Sequence, residues 1–254
     1  DADELANALE NVKTGMDAFL NGTKLADEAH PYDLTFMVSN PAMSDPDVWG
    51  VAPTVSYNCS EFYQNTFSMT QKLQDMPSGK YSAHVQAFQR PGSYTDVYNK
   101  FSAGTLTTTA KMSIVGVVPV KSIMDDAVTT KVGTGSEQHV GQYYIPDNMQ
   151  AADAYFRKGL YDNELRFDKE KRGDMTVRFF NNTVVDKDWT IFRNFRLYHL
   201  GGVESTDTAV DGVNAAGSDT EHSVYTIQGV KVDGTVDSLQ PGIYIIDGKT
   251  VYKK

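Results

Sequence analysis

Leu5, Leu9, Val12, Met16, Phe19 and Leu20 recur at helical spacing near the start of the chain. Residues three and four apart share one face of a helix, so the stretch predicts a single amphipathic helix. Asp1 or Asp3 offers an N-cap and Asn21-Gly22 a stop. Such a helix packs on the body that follows, on a partner, or on an upstream helical domain. After it the period falls to two. Leu34, Phe36 and Val38 alternate up to Asn40-Pro41 and predict a first strand. Thr54 to Leu73 interleaves polar and aromatic residues, with Phe67, Met69 and Leu73 supplying an inward face. Pro77-Ser78-Gly79 then reads as a turn into a strand that carries Tyr81, Ala83, Val85 and Ala87 on one face and Ser82, His84, Gln86 and Phe88 on the other. Together they predict a hairpin.

Past the Arg90-Pro91-Gly92-Ser93-Tyr94 loop, the β-branched density of Ala110 to Val120 predicts a buried strand. Thr129 to Gln142, rich in Gly, Thr and Ser, reads as a mobile loop. Asn148 to Lys158 predicts a short crossover helix, with Met149, Ala152, Tyr155 and Phe156 on one face. Leu165 and Phe167, the Arg172-Gly173-Asp174 turn, and Met175, Val177 and Phe179 predict a second hairpin. Asp188 to Leu200 follows as a closing strand: Phe192, Asn194, Arg196 and Tyr198 fall on one parity, Ile191, Arg193, Phe195, Leu197 and His199 on the other. From Gly201 to Glu221 periodicity stops, the signature of a linker. Val224 to Val232, Gly242 to Ile246 and Lys249 to Tyr252 then predict three short strands, divided by turns at Asp233-Gly234, Pro241-Gly242 and Asp247-Gly248.

The pattern therefore predicts a mainly β chain: an N-terminal helix and linker over 1–30, an antiparallel β-sandwich over 31–201, a linker over 202–222 and a small C-terminal β domain over 223–254. Composition agrees, since 254 residues at 40% hydrophobic can bury a full core and 14 Tyr, 12 Phe and 20 Gly favour strands and turns. A net charge of −10 argues against nucleic acid and anionic membrane surfaces as partners. No apolar run approaches the roughly 20 residues that span a bilayer, so membrane insertion is not expected. The single Cys59 excludes an intramolecular disulfide framework.

Four stretches carry a family likeness: NPAMSDPDVWG, SEFYQNTFSMTQKLQDMPSGKYSAHVQAFQRPGSY, YYIPDNMQAADAYFRKGLY and DWTIFRNFRLYHLG. Over about Asp33 to Gly201 the chain resembles secreted Bacteroides and Prevotella proteins with a galactose-binding-like jelly roll. The resemblance implies two antiparallel sheets packed face to face and, in many members, a non-catalytic carbohydrate-binding module. The tail VYTIQGVKVDGTVDSLQPGIYIIDGKTVYKK looks like the C-terminal β domains of Bacteroidetes surface proteins, some read by the type IX secretion route. It implies a secreted or outer-surface location, with a glycan or polysaccharide as partner and a surface protein as an alternative one. Relatives of this kind are expected to carry an acidic residue before the Asn-Phe of the closing strand, where a structural calcium is often bound; here Arg193 stands there. That departure puts calcium in doubt, and Asp33, Asp188 and backbone carbonyls are what remain to build a hard-oxygen site. No other cofactor is expected.

A sugar site needs an aromatic face against the ring's C–H face, with planar or charged groups reaching its hydroxyls. The loop-proximal candidates are Trp49, Tyr57, Glu61, Tyr63, Arg90, Tyr94, Tyr98 and Tyr143. Arg90 at a strand end can bind a hydroxyl pair or a carboxylate, or close the sandwich edge as an ion pair with Glu61. Trp49 is either a stacking platform or a plug over the end of the core, and Trp189 reads as core. Catalytic signatures are missing. Asp45 with Asp47 and Asp125 with Asp126 read as turn or cap residues, and Cys59 with His84 or His139 lacks the flanking pattern of a nucleophile and base.

Overall fold

A computed structural model describes residues 2–202, 224–226, 242–246 and 249–253. The chain divides into two units, Asp1–Ser205 and Thr206–Lys254. The first contains α1 (Ala2–Leu25), β1 (Tyr32–Asp33), a 3-10 turn (Thr35–Met37), α2 (Pro46–Trp49), β2 (Thr54–Ser56), β3 (Cys59–Tyr63), β4 (Phe67–Met76), β5 (Gly79–Pro91), α3 (Tyr94–Ser102), β6 (Lys111–Ser113), β7 (Val117–Pro119), β8 (Glu137–Val140), β9 (Tyr143–Pro146), α4 (Met149–Arg157), β10 (Asp162–Lys169), β11 (Gly173–Asn181) and β12 (Asp188–His199). The second contains β13 (Val224–Thr226), β14 (Gly242–Ile246) and β15 (Lys249–Lys253), an antiparallel sheet in that order. The predicted linker beyond Gly202, the remainder of the strand expected to reach Val232, and the turns at Asp233-Gly234 and Asp247-Gly248 lie outside the described residues.

The first unit is a β-sandwich. Its larger sheet runs β10-β5-β12-β3-β2 with β1 also on β12, and its smaller sheet runs β4-β11-β6-β7. Their facing sides close one core, in which Phe62 and Phe192 of the larger sheet meet Phe67 and Phe179 of the smaller. The rings of Phe62 and Phe67 stack at 4.3 Å, and those of Phe179 and Phe192 lie 4.8 Å apart, so aromatic packing bridges the layers.

Both predicted hairpins are corrected by this topology. Strands β4 and β5, either side of Pro77-Ser78, lie in opposite sheets, as do β10 and β11. Instead β4 pairs with β11 and β5 with β10, so two arches that each cross the core run antiparallel to one another. Alternation along a strand says which residues face inward; it does not say which strand lies alongside.

The larger sheet is covered on its outer side as well. Cys59, Phe88, Trp189 and Ile191 from the sheet pack against Met149, Ala152, Tyr155 and Phe156 of α4 and against Ile123, Met124 and Ile145 of the preceding segment, forming a second core. Sequence parity missed that layer because β12 changes phase. A bulge between Arg193 and Arg196, with Asn194 at φ 57°, transfers the inward set from Phe192 to Phe195 and Leu197, and the outward set from Ile191 and Arg193 to Arg196. The strand that closes the unit in sequence is central in its sheet, between β5 and β3. Arg193 lies over the ring of Phe156, forms an ion pair with Asp153 of α4 and donates from Nε to Gln86 at 2.9 Å, tying helix to sheet.

Four local expectations also change. Leu34 to Val38 is a helical turn rather than a strand: Asp33 Oδ1 accepts from Thr35 N at 2.8 Å, and the buried pair Leu34 and Val38, four apart, suits that turn as well as it suits alternation. Helix α1 continues through Asn21-Gly22 to Leu25, and Gly22 makes room for the Tyr32 ring, which lies 2.4 Å from where a Cβ would stand. Its C-terminal end meets the body through Phe19 against Tyr32 and Phe36, while Leu5 and Leu9 are 72% and 69% exposed. Ala110 to Val120 is a small edge hairpin with Val115 and Val117 exposed. The Gly-rich 129–142 stretch contains β8, paired with β9, and is anchored by Glu137, which accepts from Val132 N, Gly133 N and Tyr155 Oη.

Candidate functional site

Three adjacent strands set the floor of a cleft at one end of the larger sheet. Trp189 of β12 pairs laterally with Arg90 of β5 on one side and Tyr63 of β3 on the other. Lateral partners share a face, so the three side chains form a row, and Glu61, two residues before Tyr63, joins the same face. The chain leaves β5 through Gly92, whose φ of 134° excludes an ordinary side chain, and Ser93 caps α3 by accepting from Asp96 N at 3.2 Å. Tyr94 is thereby folded back over Arg90. Asn148 caps α4 from the opposite wall, accepting from Ala151 N at 2.9 Å, and brings Asp147 and Met149 to the rim. With Lys187 these residues enclose about 570 Å³, within the roughly 300–1,000 Å³ typical of small-ligand clefts.

The charges in the cleft are unevenly matched. Glu61 accepts a 2.6 Å hydrogen bond from Trp189 Nε1; burial raises its pKa, and that bond only partly offsets the burial. Asp147 is also penalised by burial, but donors from Tyr94 Oη, Gln138 Nε2 and Ser136 Oγ outweigh it and hold the carboxyl below its usual range. Tyr94, pushed far above the ordinary phenol range by burial and then by that carboxylate, remains a donor. Arg90 is 7% exposed, with its guanidinium 4.3 Å from the centre of the Tyr94 ring and 5.3 Å from that of Trp189. Among the described residues its one hydrogen bond runs from Nη2 to the Lys187 carbonyl at 3.3 Å, and its buried Nε has none. The Arg90–Glu61 ion pair is not formed.

Of the eight predicted residues, Glu61, Tyr63, Arg90 and Tyr94 come together here and four do not. Trp49 is fully buried at the end of α2, donating from Nε1 to the Asn40 carbonyl at 2.9 Å and packing edge-on against Phe195, so it plugs the first core. Tyr57 is exposed in the two-residue turn of the β2–β3 hairpin, with Tyr57 and Asn58 at φ 50° and 55°. Tyr98 and Tyr143 pack against the second core, Tyr143 edge-on to Phe101. Sequence reasoning missed Trp189, Lys187, Ser93, Asp147, Asn148 and Met149 as lining residues. Arg90 and Trp189 share a row, a signal available only once β5 and β12 are known to pair; Asp147 arrives from 53 residues beyond Tyr94 without any local cue.

The remaining chemistry resolves into structure. Burial pushes the Cys59 thiol up to about 12, so it stays protonated at neutral pH. Asp45 accepts from Asp47 N as the cap of α2, and Asp125 accepts from Ser122. Asp33 and Asp188 sit beside opposite ends of β12, roughly 30 Å apart at strand rise, and Asp188 already accepts from Gln89 and Asn181. Among the described residues no cluster of three or more His, Cys, Asp or Glu is placed to hold a metal. No described helix is long and apolar enough to cross a membrane. Ser82, His84 and Asp162 line up with 2.8 Å contacts on each side of the imidazole, in the outline of a hydrolytic triad. The Ser82 hydroxyl, however, has one proton and two acceptors in reach, His84 Nε2 and Glu164 Oε1 at 2.7 Å, so it is not committed to the imidazole as a nucleophile is to its base.

Compared with family models, curated proteins and solved structures, the chain matches none.

Proposed function

We propose that this chain is a non-catalytic carbohydrate-binding module whose ligand lies in the cleft at the end of the larger sheet. The observation that supports this most directly is the row Arg90–Trp189–Tyr63, overhung by Tyr94, in which aromatic faces and a planar cation stand side by side. Aromatic faces take the C–H side of a sugar ring and the charged groups take its hydroxyls. The family resemblance belongs to the same reading: a galactose-binding-like jelly roll, exported and held at or beyond the outer cell surface. A glycan array followed by calorimetry tests the proposal. Binding that falls about tenfold or more in Tyr63→Ala supports it, since a stacked ring contributes on the order of 1–2 kcal/mol; no binding to plant, host or microbial glycans ends it.

A second reading, glycoside hydrolysis, is favoured by one feature, the presence in one cleft of Glu61 with a raised pKa and Asp147 with a lowered one. Carboxyls whose environments push their pKa values apart are the general requirement for an acid and its partner. Incubation of the chain with any glycan it binds, followed by product chromatography, separates the readings. Cleavage lost in both Glu61→Gln and Asp147→Asn establishes hydrolysis, and unchanged glycan leaves the binding module.

A further inference from the structure

We propose that the cleft selects a carboxylate-bearing sugar, a uronic acid unit of a polysaccharide, and that Arg90 is its carboxylate receptor. The inference rests on the glycan reading above and adds the chemical class of the ligand.

A buried cation demands a counter-charge, because loss of hydration is offset only by a close anion or a full set of hydrogen bonds. The other arginines facing outward from the larger sheet obey this: Arg193 pairs with Asp153, Arg196 with Asp162 and Arg166 with Glu164. Arg90 is more buried than these and forms no ion pair among the described residues. Each neighbouring carboxylate is already engaged. Glu61 is held by Trp189, Asp147 by Tyr94, Gln138 and Ser136, and Asp188 by Gln89 and Asn181.

The guanidinium is contacted from its faces, and Arg90 borders the cleft. Tyr94 and Trp189 contact the plane of the group by cation–π interaction, Nε is buried and Nη2 donates to the Lys187 carbonyl, so the donors left for a ligand are those of the terminal Nη1–Nη2 fork. A planar carboxylate matches that fork with two parallel hydrogen bonds; a hydroxyl pair matches it less well and brings no charge. The surroundings favour an anion too. The cap and first residue of both α3 (Ser93, Tyr94) and α4 (Asn148, Met149) line the cleft, so two helices present their positive ends to it, and Lys187 adds a further cation at the rim.

Calorimetry on the intact chain with trisaccharides of galacturonate, glucuronate and mannuronate, each beside its carboxyl-reduced counterpart, decides the matter. At least one acid form is expected to bind about tenfold or more tightly than its reduced form, the preference of a charge-assisted fork over neutral contacts. Arg90→Met removes that preference, and Arg90→Lys, which keeps the charge without the fork, restores only part of it. Lys187→Ala, at an exposed loop position, weakens the acid forms several-fold more than the reduced ones. A sulfated trisaccharide of equal charge that binds better than every uronate overturns the carboxylate assignment. Equal binding of acid and reduced forms overturns the inference and leaves the glycan reading standing, whereas binding of no glycan at all removes both.

Discussion

The outer face of the larger sheet has two ends built from the same residue types, and they are wired differently. At one end His84 contacts Asp162 and Ser82, Ser82 donates to Glu164, Arg196 pairs with Asp162, and Arg166 pairs with Glu164 and Glu28. Each of these charges has an opposite partner within the chain. At the other end, beyond Gln86 and Phe88 on the same face of β5, Arg90 is more deeply buried and, among the described residues, has no carboxylate in contact, Asp147 and Asp188 feeling its charge only from farther off. Both arginines, Arg196 and Arg90, keep a buried Nε without a hydrogen-bond partner, so the ends differ in ion pairing: Arg196 has a carboxylate in contact and Arg90 does not. An unmet valence inside a cleft is a sharper pointer to binding than the abundance of aromatic residues around it.

The comparison can be broken by substitution, and the largest effect belongs to the cleft's floor. Trp189→Ala removes a ring from the second core and leaves Glu61 without its donor, so a loss of about 3–5 kcal/mol is expected in denaturant unfolding. Arg193→Ala, at the junction between the two ends, leaves Asp153 of α4 with Arg157 alone and removes the bond to Gln86, so it costs about 2 kcal/mol, with protection of the α4 amides in hydrogen exchange falling first. At the ion-paired end, Asp162→Asn costs about 1 kcal/mol, because Asp162 and Arg196 are each about a third exposed and screened.

The two ends also differ in the sign of their response to pH. Asp162 and Glu164 are penalised by burial, but their hydrogen bonds and cations outweigh it, so their folded pKa values lie below the unfolded ones. Their stabilisation is present above the unfolded carboxyl range near pH 4 and fades as pH falls through the folded values, so the Asp162→Asn penalty shrinks in acid. Glu61 is raised by burial, so the folded state favours its protonated form; that advantage is complete below the unfolded value and lost as pH rises through the folded one. Glu61→Gln should therefore melt higher than the parent at pH 7 and equal to it near pH 3. The smallest expected effect on stability is that of Arg90→Met, within about 0.5 kcal/mol of the parent or above it, because an unpaired buried charge gives way to an apolar chain. A large loss there would mean that Arg90 has a structural partner after all.

Much of the frame could be read from residue order. The period-two stretches of β4, β5, β11 and β12 lie close to where alternation put them, and the Asn148 cap and apolar face of α4 were visible directly. Strand partnership was not, since Pro77-Ser78 and Arg172-Gly173 serve an inter-sheet arch as readily as a hairpin. The bulge at Asn194 hid the second core by reversing the phase of β12 midway, which made Trp189 look like interior and nothing more. For the cleft, Arg90 and Tyr94 were marked by the Pro-Gly exit from a strand, whereas Trp49 and Tyr143 share their residue type but are drawn into packing by Asn40, Phe195 and Phe101. Asp147 had no marker, because its partner Tyr94 is distant in sequence.

The central place of β12 has a consequence in time. It is the last strand of its unit to be synthesised, yet β1, β3 and β5 all pair with it. Until residue 199 has left the ribosome the larger sheet lacks its middle, and neither the Arg90–Trp189–Tyr63 row nor the floor of the second core exists. The contacts that complete it join residues 99 and 128 positions apart, as in Gln89 with Asp188 and Glu61 with Trp189. Separations of that size belong to domains that fold slowly, over milliseconds to seconds. The nascent chain must therefore carry open strand edges until β12 arrives, and the cleft is the last part of the larger sheet to come into being.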